Sequence, residues 1–183
     1  MFSLWSDRRP WVGGIVHTSD GKVVLIKKTA ELEQGNALYK LPGGKLEPNE
    51  LALLKQETDP AKRDTLLRNV LKREIGEELS VELQNVEPIG TYRRLDNLHK
   101  LSPKRLIEAD QHLTVYLAEI KPGSEPRPDG TEVGEIRLAS IVELIQLEID
   151  GKISPRFIPA CREAGPLLER RLRERELGRP KLR

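Results

Sequence analysis

The chain has 183 residues, room for one domain with its own core and short appendages but not for two full domains. Apolar residues make up 37% and charged residues 33%, and the net charge is only +2, so aliphatic side chains must close the core under a charged surface, and neither a strongly basic nucleic-acid binder nor an acidic scaffold is indicated. No apolar run approaches the ~20 residues of a membrane span, the first ten residues lack the apolar stretch of a signal peptide, and the single Cys161 excludes an intrachain disulfide, so a cytosolic protein with no membrane partner is expected.

In chain order, residues 11–18 and 22–28 are β-rich and flank Ser19-Asp20-Gly21, where Asp-Gly suits a tight hairpin. A polar stretch, 29–36, leads to the short run 37–41, which Pro42-Gly43-Gly44 stops at once. Asp59 as N-cap and Pro60 at the first helical position predict a helix running to about Leu79, with Gly76 its one weak point. Residues 81–96 and 112–120 read as strands, 121–134 as a Pro- and Gly-rich loop, and 136–138 as a last short strand. Ser140 should cap a helix through Leu147, stopped by Asp150-Gly151. Residues 155–178 are helical again, with a break expected near Gly165-Pro166. From residue 162 to 183 eight basic residues face four acidic ones, which reads as a solvated amphipathic helix with a basic tail. Cys161 within it reads as a small buried apolar residue. Strands and helices thus intermix, as in an α/β fold.

The helix from Asp59 carries an anomaly. One stripe at helical spacing begins Leu67, Val70, Leu71 and continues Glu74, Glu77, Glu78. Like charges at i, i+3 and i, i+4 cost a helix roughly 0.2–0.5 kcal/mol per pair, and the macrodipole disfavours carboxylates at this end. Arg73 and Lys72 are the nearby cations, and helical geometry turns them largely to other faces. Either this half of the helix is solvated, or the carboxylates hold a hard divalent cation, most simply Mg²⁺, that bridges to substrate phosphates. No His-Glu-x-x-His, Gly-x-Gly-x-x-Gly or phosphate loop ending in Gly-Lys-Ser/Thr occurs.

The run Arg73-Glu74-Ile75-Gly76-Glu77-Glu78-Leu79-Ser80-Val81 resembles the second half of the Nudix box. Leu41-Pro42-Gly43-Gly44, five further residues and Glu50 resemble the first half. Two departures stand out. Seven residues usually separate that Glu from the Arg, whereas residues 51–72 number 22 here, an insertion of 15 placed at about 51–65 within a box spanning 44–81. Its helix-like start suggests an extra helical turn or two looping out of the box. Ser80 stands where Gly is usual, which weakens a helix C-cap.

The resemblance implies one Nudix domain over residues 1–183, an α/β/α sandwich around a mixed β-sheet, with a C-terminal helical extension at about 155–183. It further implies a metal-dependent hydrolase that cleaves the diphosphate of a nucleoside diphosphate linked to another moiety X. By that resemblance Glu74, Glu77, Glu78 and the carbonyl of Gly43 hold Mg²⁺, for which Mn²⁺ can stand in, and a metal-activated water attacks phosphorus in line. Glu77 or Glu78 serves as the base, and Arg73 pairs with Glu50 to fix the helix against the Gly43-Gly44 loop.

Other candidates rest on weaker signals. Tyr39, Tyr92, Trp5 and Trp11 suit base stacking or an ordinary core, and Arg93, Arg94, Lys104 and Arg105 suit phosphate or plain surface charge. Glu132 and Glu135, both placed in the late loop, suit a further carboxylate or solvent. His17, His99 and His112 have no ligand spacing. The partner expected is therefore a small nucleotide rather than DNA, and the composition is compatible with an oligomer. A catalytically silent nucleotide-sensing or partner-binding module of the same fold is the rival reading. A prenyl-diphosphate isomerase comes last, since no separate acid and nucleophile are evident.

Overall fold

A computed structural model describes residues 9–93 and 112–178. Six strands form one sheet: β1 (Trp11–His17), β2 (Val23–Lys28), β3 (Gly43–Lys45), β4 (Leu83–Arg93), β5 (His112–Ile120) and β6 (Val133–Ala139). The order is β4-β5-β1-β2-β6, with β3 paired to β1; β1 and β5 run parallel and every other pair is antiparallel, so the sheet is mixed. The helices are α1 (Thr29–Glu33), α2 (Pro48–Gln56), α3 (Pro60–Leu79), α4 (Ile141–Ile149) and α5 (Ile158–Gly178).

The period-2 alternation of β1 and β2 divides their side chains between two cores. Val12, Val16, Val24 and Ile26 face Val70, Leu71, Ile75 and Leu79 of α3. Trp11, Ile15, Val23 and Leu25 face Leu144 and Leu147 of α4 and Phe157, Ala160, Ala164 and Leu168 at and along α5. That is the expected α/β/α sandwich. No helix among the described residues is long and apolar enough to cross a membrane.

One detail of the sheet places the site. β1 and β2 pair with each other only at the hairpin, His17 opposite Val23, where Gly21 takes φ 83°. Beyond it the 39–45 segment wedges between them. Lys40 exchanges backbone bonds with Ile26 of β2 at 3.0 and 2.9 Å, Gly14 of β1 donates to the Pro42 carbonyl at 3.1 Å, and Gly43, Gly44 and Lys45 then pair with Gly13, Val12 and Trp11. Gly43 has φ 138°, and a Cβ there would lie 2.3 Å from the Val12 carbonyl oxygen, so only glycine fits.

Several expectations need correction. Residues 29–36, read as a polar connection, include the short helix α1. By contrast, the insertion begins as expected with a turn or two of helix ahead of the α3 restart at Pro60, residues 51–56 forming the end of the nine-residue α2. Glu47 and Glu50 close a capping box at its start. The strand expected at 136–138 is the longer β6, so Glu135 lies in a strand and not in the loop. The helix does not break at Gly165-Pro166: α5 runs through Pro166. Ala160, Ala164 and Leu168, buried to 1% or less, hold that helix on the sheet and override the bond lost at proline. Nor is the basic end merely solvated. Arg175 binds the buried Glu119 of β5, and Arg171 reaches Glu87 at 3.0 Å and the ring of His17 at 3.2 Å.

Candidate active site

Asp59 accepts from the Ala61 amide and Pro60 occupies the first turn, so α3 starts as its sequence predicts. It ends at Ser80, which takes φ 57°, ψ 34° and donates its amide to the Gly76 carbonyl. The next orphan carbonyls are answered from residues 121–132, which cross the helix end: Arg127 donates to Leu79 at 2.9 Å and Asp129 to Glu78 at 3.2 Å. Asp129 in turn accepts from the amides of Thr131, Glu132 and Val133, which fixes the loop that carries Glu132.

The carboxylate stripe divides three ways. Glu78 is buried, 2% exposed, and its Oε2 accepts from the Gly43 amide at 2.7 Å. Its Oε1 meets the ammonium of Lys28, the last residue of β2. Glu74 is partly buried against Gly44, where a Cβ would come within 1.8 Å of its Oε2. Glu77 is open, with a side chain 59% exposed. The Gly43-Gly44 pair therefore gives two carboxylates a close seat against backbone that any side chain would obstruct.

Two cations answer these charges. Arg73, expected to face elsewhere, reaches Glu74 and Glu77 at 2.9 Å each while holding Glu50 by two bonds of 2.9 Å. Its flexible chain brings the guanidinium round the helix, which Cβ direction alone does not reveal. Lys28 is the residue that sequence reasoning missed. It also binds Glu132 at 3.0 Å, linking the late loop to Glu78. The one signal for it was the like-charge stripe, which demanded a cation without saying where in the chain it lay.

The electrostatics follow from burial. Burial pushes the Glu74 carboxyl up to about 7, aided by the charge of Glu78 and opposed by Arg73. Burial also pushes Glu78 up, against the pull of Lys28 and the Gly43 amide. For Lys28, burial works against the charge, but Glu78 and Glu132 outweigh it and hold the ammonium above its usual range. Burial disfavours the Glu50 anion too, yet Arg73 and the Glu47 amide win and hold it low.

The remaining candidates fall elsewhere. Tyr39 belongs to the core under α4 and α5, and its hydroxyl donates to Glu135 at 2.6 Å. Glu135 also accepts from Lys27 at 3.1 Å, so it serves that neighbouring cluster and not the stripe. Trp11 packs on Phe157 with ring centroids 5.4 Å apart, and the Tyr92 hydroxyl donates to Glu163 at 2.8 Å. His17 is buried, and so is Cys161, whose thiol burial pushes up to about 12. Trp5, Arg94, His99, Lys104, Arg105 and the side chains of Arg93 and His112 lie outside the described residues.

Among the described residues no three acidic, His or Cys side chains stand grouped so as to hold a metal ion as they are placed, and the carboxylates of the stripe are paired with Lys28 and Arg73. The chemistry of the donors still suits a hard cation. They are all oxygen, Glu50, Glu74 and Glu78 are largely desolvated, and with the open Glu77 and Glu132 five carboxylates share two basic groups.

Comparison with known proteins defines the class. The NUDIX domain family model matches residues 7–161, most of the chain, and the chain belongs to the NUDIX family of hydrolases. No curated protein matches it. Among solved structures it is similar to MutT from a study of the Aliivibrio salmonicida and Vibrio cholerae proteins, at 14% identity and TM-score 0.55, covering 87% of this chain and 97% of that one. The MutT NUDIX hydrolase of Burkholderia pseudomallei is similar at 18% identity and TM-score 0.53, covering 85% and 96%. The E. coli ORF135 protein is similar at 21% identity and TM-score 0.55, covering 87% and 89%. At these identities the likeness is one of fold.

Proposed function

We propose that the protein is a divalent-metal-dependent hydrolase of a nucleoside diphosphate linked to another moiety X, a small-molecule substrate. The observation that carries this reading is the seat of Glu74 and Glu78 against the side-chain-free backbone of Gly43 and Gly44. A structural helix gains nothing from burying two carboxylates there, whereas a cation site does.

In this reading Glu74, Glu77, Glu78 and the Gly43 carbonyl hold Mg²⁺, or Mn²⁺ in its place. When bound, the metal supplies charge neutralisation for the diphosphate and acidifies a water ligand. Arg73 draws Glu74 and Glu77 together and ties them through Glu50 to the start of α2, so the acidic face is set before substrate arrives. The proton of the attacking water passes to Glu77 or Glu78. Glu77 has the side chain open to solvent, and the Gly43 amide orients Glu78.

The test is cleavage of a nucleotide panel by the purified protein with Mg²⁺, with and without chelator, followed by separation of products. Metal-dependent release of a nucleoside monophosphate that Glu78→Gln lowers at least about 100-fold is expected. No turnover with either Mg²⁺ or Mn²⁺ would move the assignment to a silent nucleotide-sensing module.

A further inference from the structure

Lys28 is shared between two carboxylates in unlike surroundings. Glu78 is 2% exposed, so little water screens its charge, whereas the Glu132 side chain is 70% exposed. Glu132 is nonetheless a fixed post. Asp129 pins the amides on either side of it, and its carbonyl accepts from the Thr29 amide at 2.9 Å, directly after Lys28. The ammonium therefore has two built resting places, one inside the acidic seat and one at its rim.

We infer that Lys28 is a displaceable counter-ion: it neutralises Glu78 in the metal-free protein and swings wholly onto Glu132 when a divalent cation takes Glu78. The inference rests on the metal reading given above. An ammonium and a divalent cation compete for the same carboxylate lone pairs, and their mutual repulsion in a partly desolvated seat drives the lighter charge out. A lysine suits the part, because its compact charge rides on a flexible four-carbon stem, whereas the fork of an arginine would hold both carboxylates at once. The arrangement keeps the empty seat from unravelling and leaves Glu132 as a positioning residue for Lys28 rather than a metal ligand.

Mn²⁺ binding to the full chain, followed by electron paramagnetic resonance, tests this with Lys28→Met, Glu132→Gln and the double variant. Lys28→Met should bind Mn²⁺ about tenfold tighter than the unchanged protein. Glu132→Gln should bind it about threefold weaker, because the lysine has lost its refuge. In the double variant that weakening should vanish. Metal-free Lys28→Met should also melt lower and gain more from Mn²⁺ than the unchanged protein does. Should it not fold without metal, Lys28→Arg keeps the charge and should bind Mn²⁺ more weakly than the unchanged protein. Equal or weaker Mn²⁺ binding by folded Lys28→Met, or equal or tighter binding by Lys28→Arg, overturns the inference. So does an equal loss from Glu132→Gln in both backgrounds, which would make Glu132 a ligand. Mn²⁺ bound by none of the proteins overturns the metal reading itself.

Discussion

Arg73 meets Glu50 through two parallel hydrogen bonds, Nε to Oε1 and Nη2 to Oε2, each 2.9 Å long. The pair joins the first turn of α2 to the acidic turn of α3, across the 15-residue insertion. Arg73→Lys keeps the charge but loses the fork. It should lower stability by about 1–2 kcal/mol and activity by tenfold or more. Urea denaturation and steady-state kinetics on one preparation check both.

Gly43 and Gly44 should respond differently to alanine. At Gly44 the new Cβ would meet the flexible end of Glu74, so Gly44→Ala should fold with a melting temperature within about 3 °C of the parent yet bind Mn²⁺ at least about tenfold more weakly. At Gly43 the clash is with backbone and φ is 138°, so Gly43→Ala should cost about 3 kcal/mol or more. Calorimetry beside a metal titration separates the two, and equal loss of stability would refute the distinction.

Ser80 closes α3 in the left-handed region, at φ 57°. Glycine accepts that conformation without the Cβ clash, so Ser80→Gly should raise stability by about 0.5–1 kcal/mol. No change in metal affinity should accompany it, because Ser80 contributes no group to the acidic seat. The chemical-denaturation midpoint at unchanged slope reads this directly.

His17 gives the protein an acid limit. Burial, with Arg171 and Arg175 adding to it, holds its ring below the usual 6.5, although the Thr18 carbonyl and Glu119 pull the other way. The geometry fixes the neutral tautomer: Nδ1 stands 2.8 Å from the Thr18 carbonyl, which can only accept, and Nε2 stands 3.2 Å from Arg171 Nη1, which can only donate. The unfolded chain takes up a proton near 6.5 and the folded chain only at lower pH. This contribution is therefore complete above pH 6.5 and is lost as the pH falls from there toward the depressed folded value. Thermal melts should drop over that fall, and His17→Gln should flatten this step.

Much of this was legible in the sequence because local chemistry and tertiary demand agree. The Asp-Gly hairpin, the Asp59-Pro60 and Ser140 caps and the stripe of Leu67, Val70 and Leu71 each state their structure within a few residues. The Arg73–Glu50 pair was legible too, through the resemblance. The failures are long-range. Lys28 meets Glu78 from 50 residues away, and although the stripe around Glu78 demanded a cation, nothing near Lys28 announces that it is the one. Arg175 meets Glu119 from 56 residues away, which turned an apparently solvated basic helix into a docked one. Pro166 misled because a local rule lost to burial on either side of it.

The wedge formed by residues 39–45 explains how the box tolerates so long an interruption. Its two halves are registered by the ladder on β1 and by the Gly43–Glu78 and Arg73–Glu50 contacts, not by the length of chain that joins them. Doubling a connecting loop costs only about 0.6 kcal/mol in closure entropy. Residues 51–59, between Glu50 and the start of α3, are in this sense a free parameter, open to lengthening or exchange so long as Glu50 still meets Arg73 and an apolar side chain takes the buried place of Leu54.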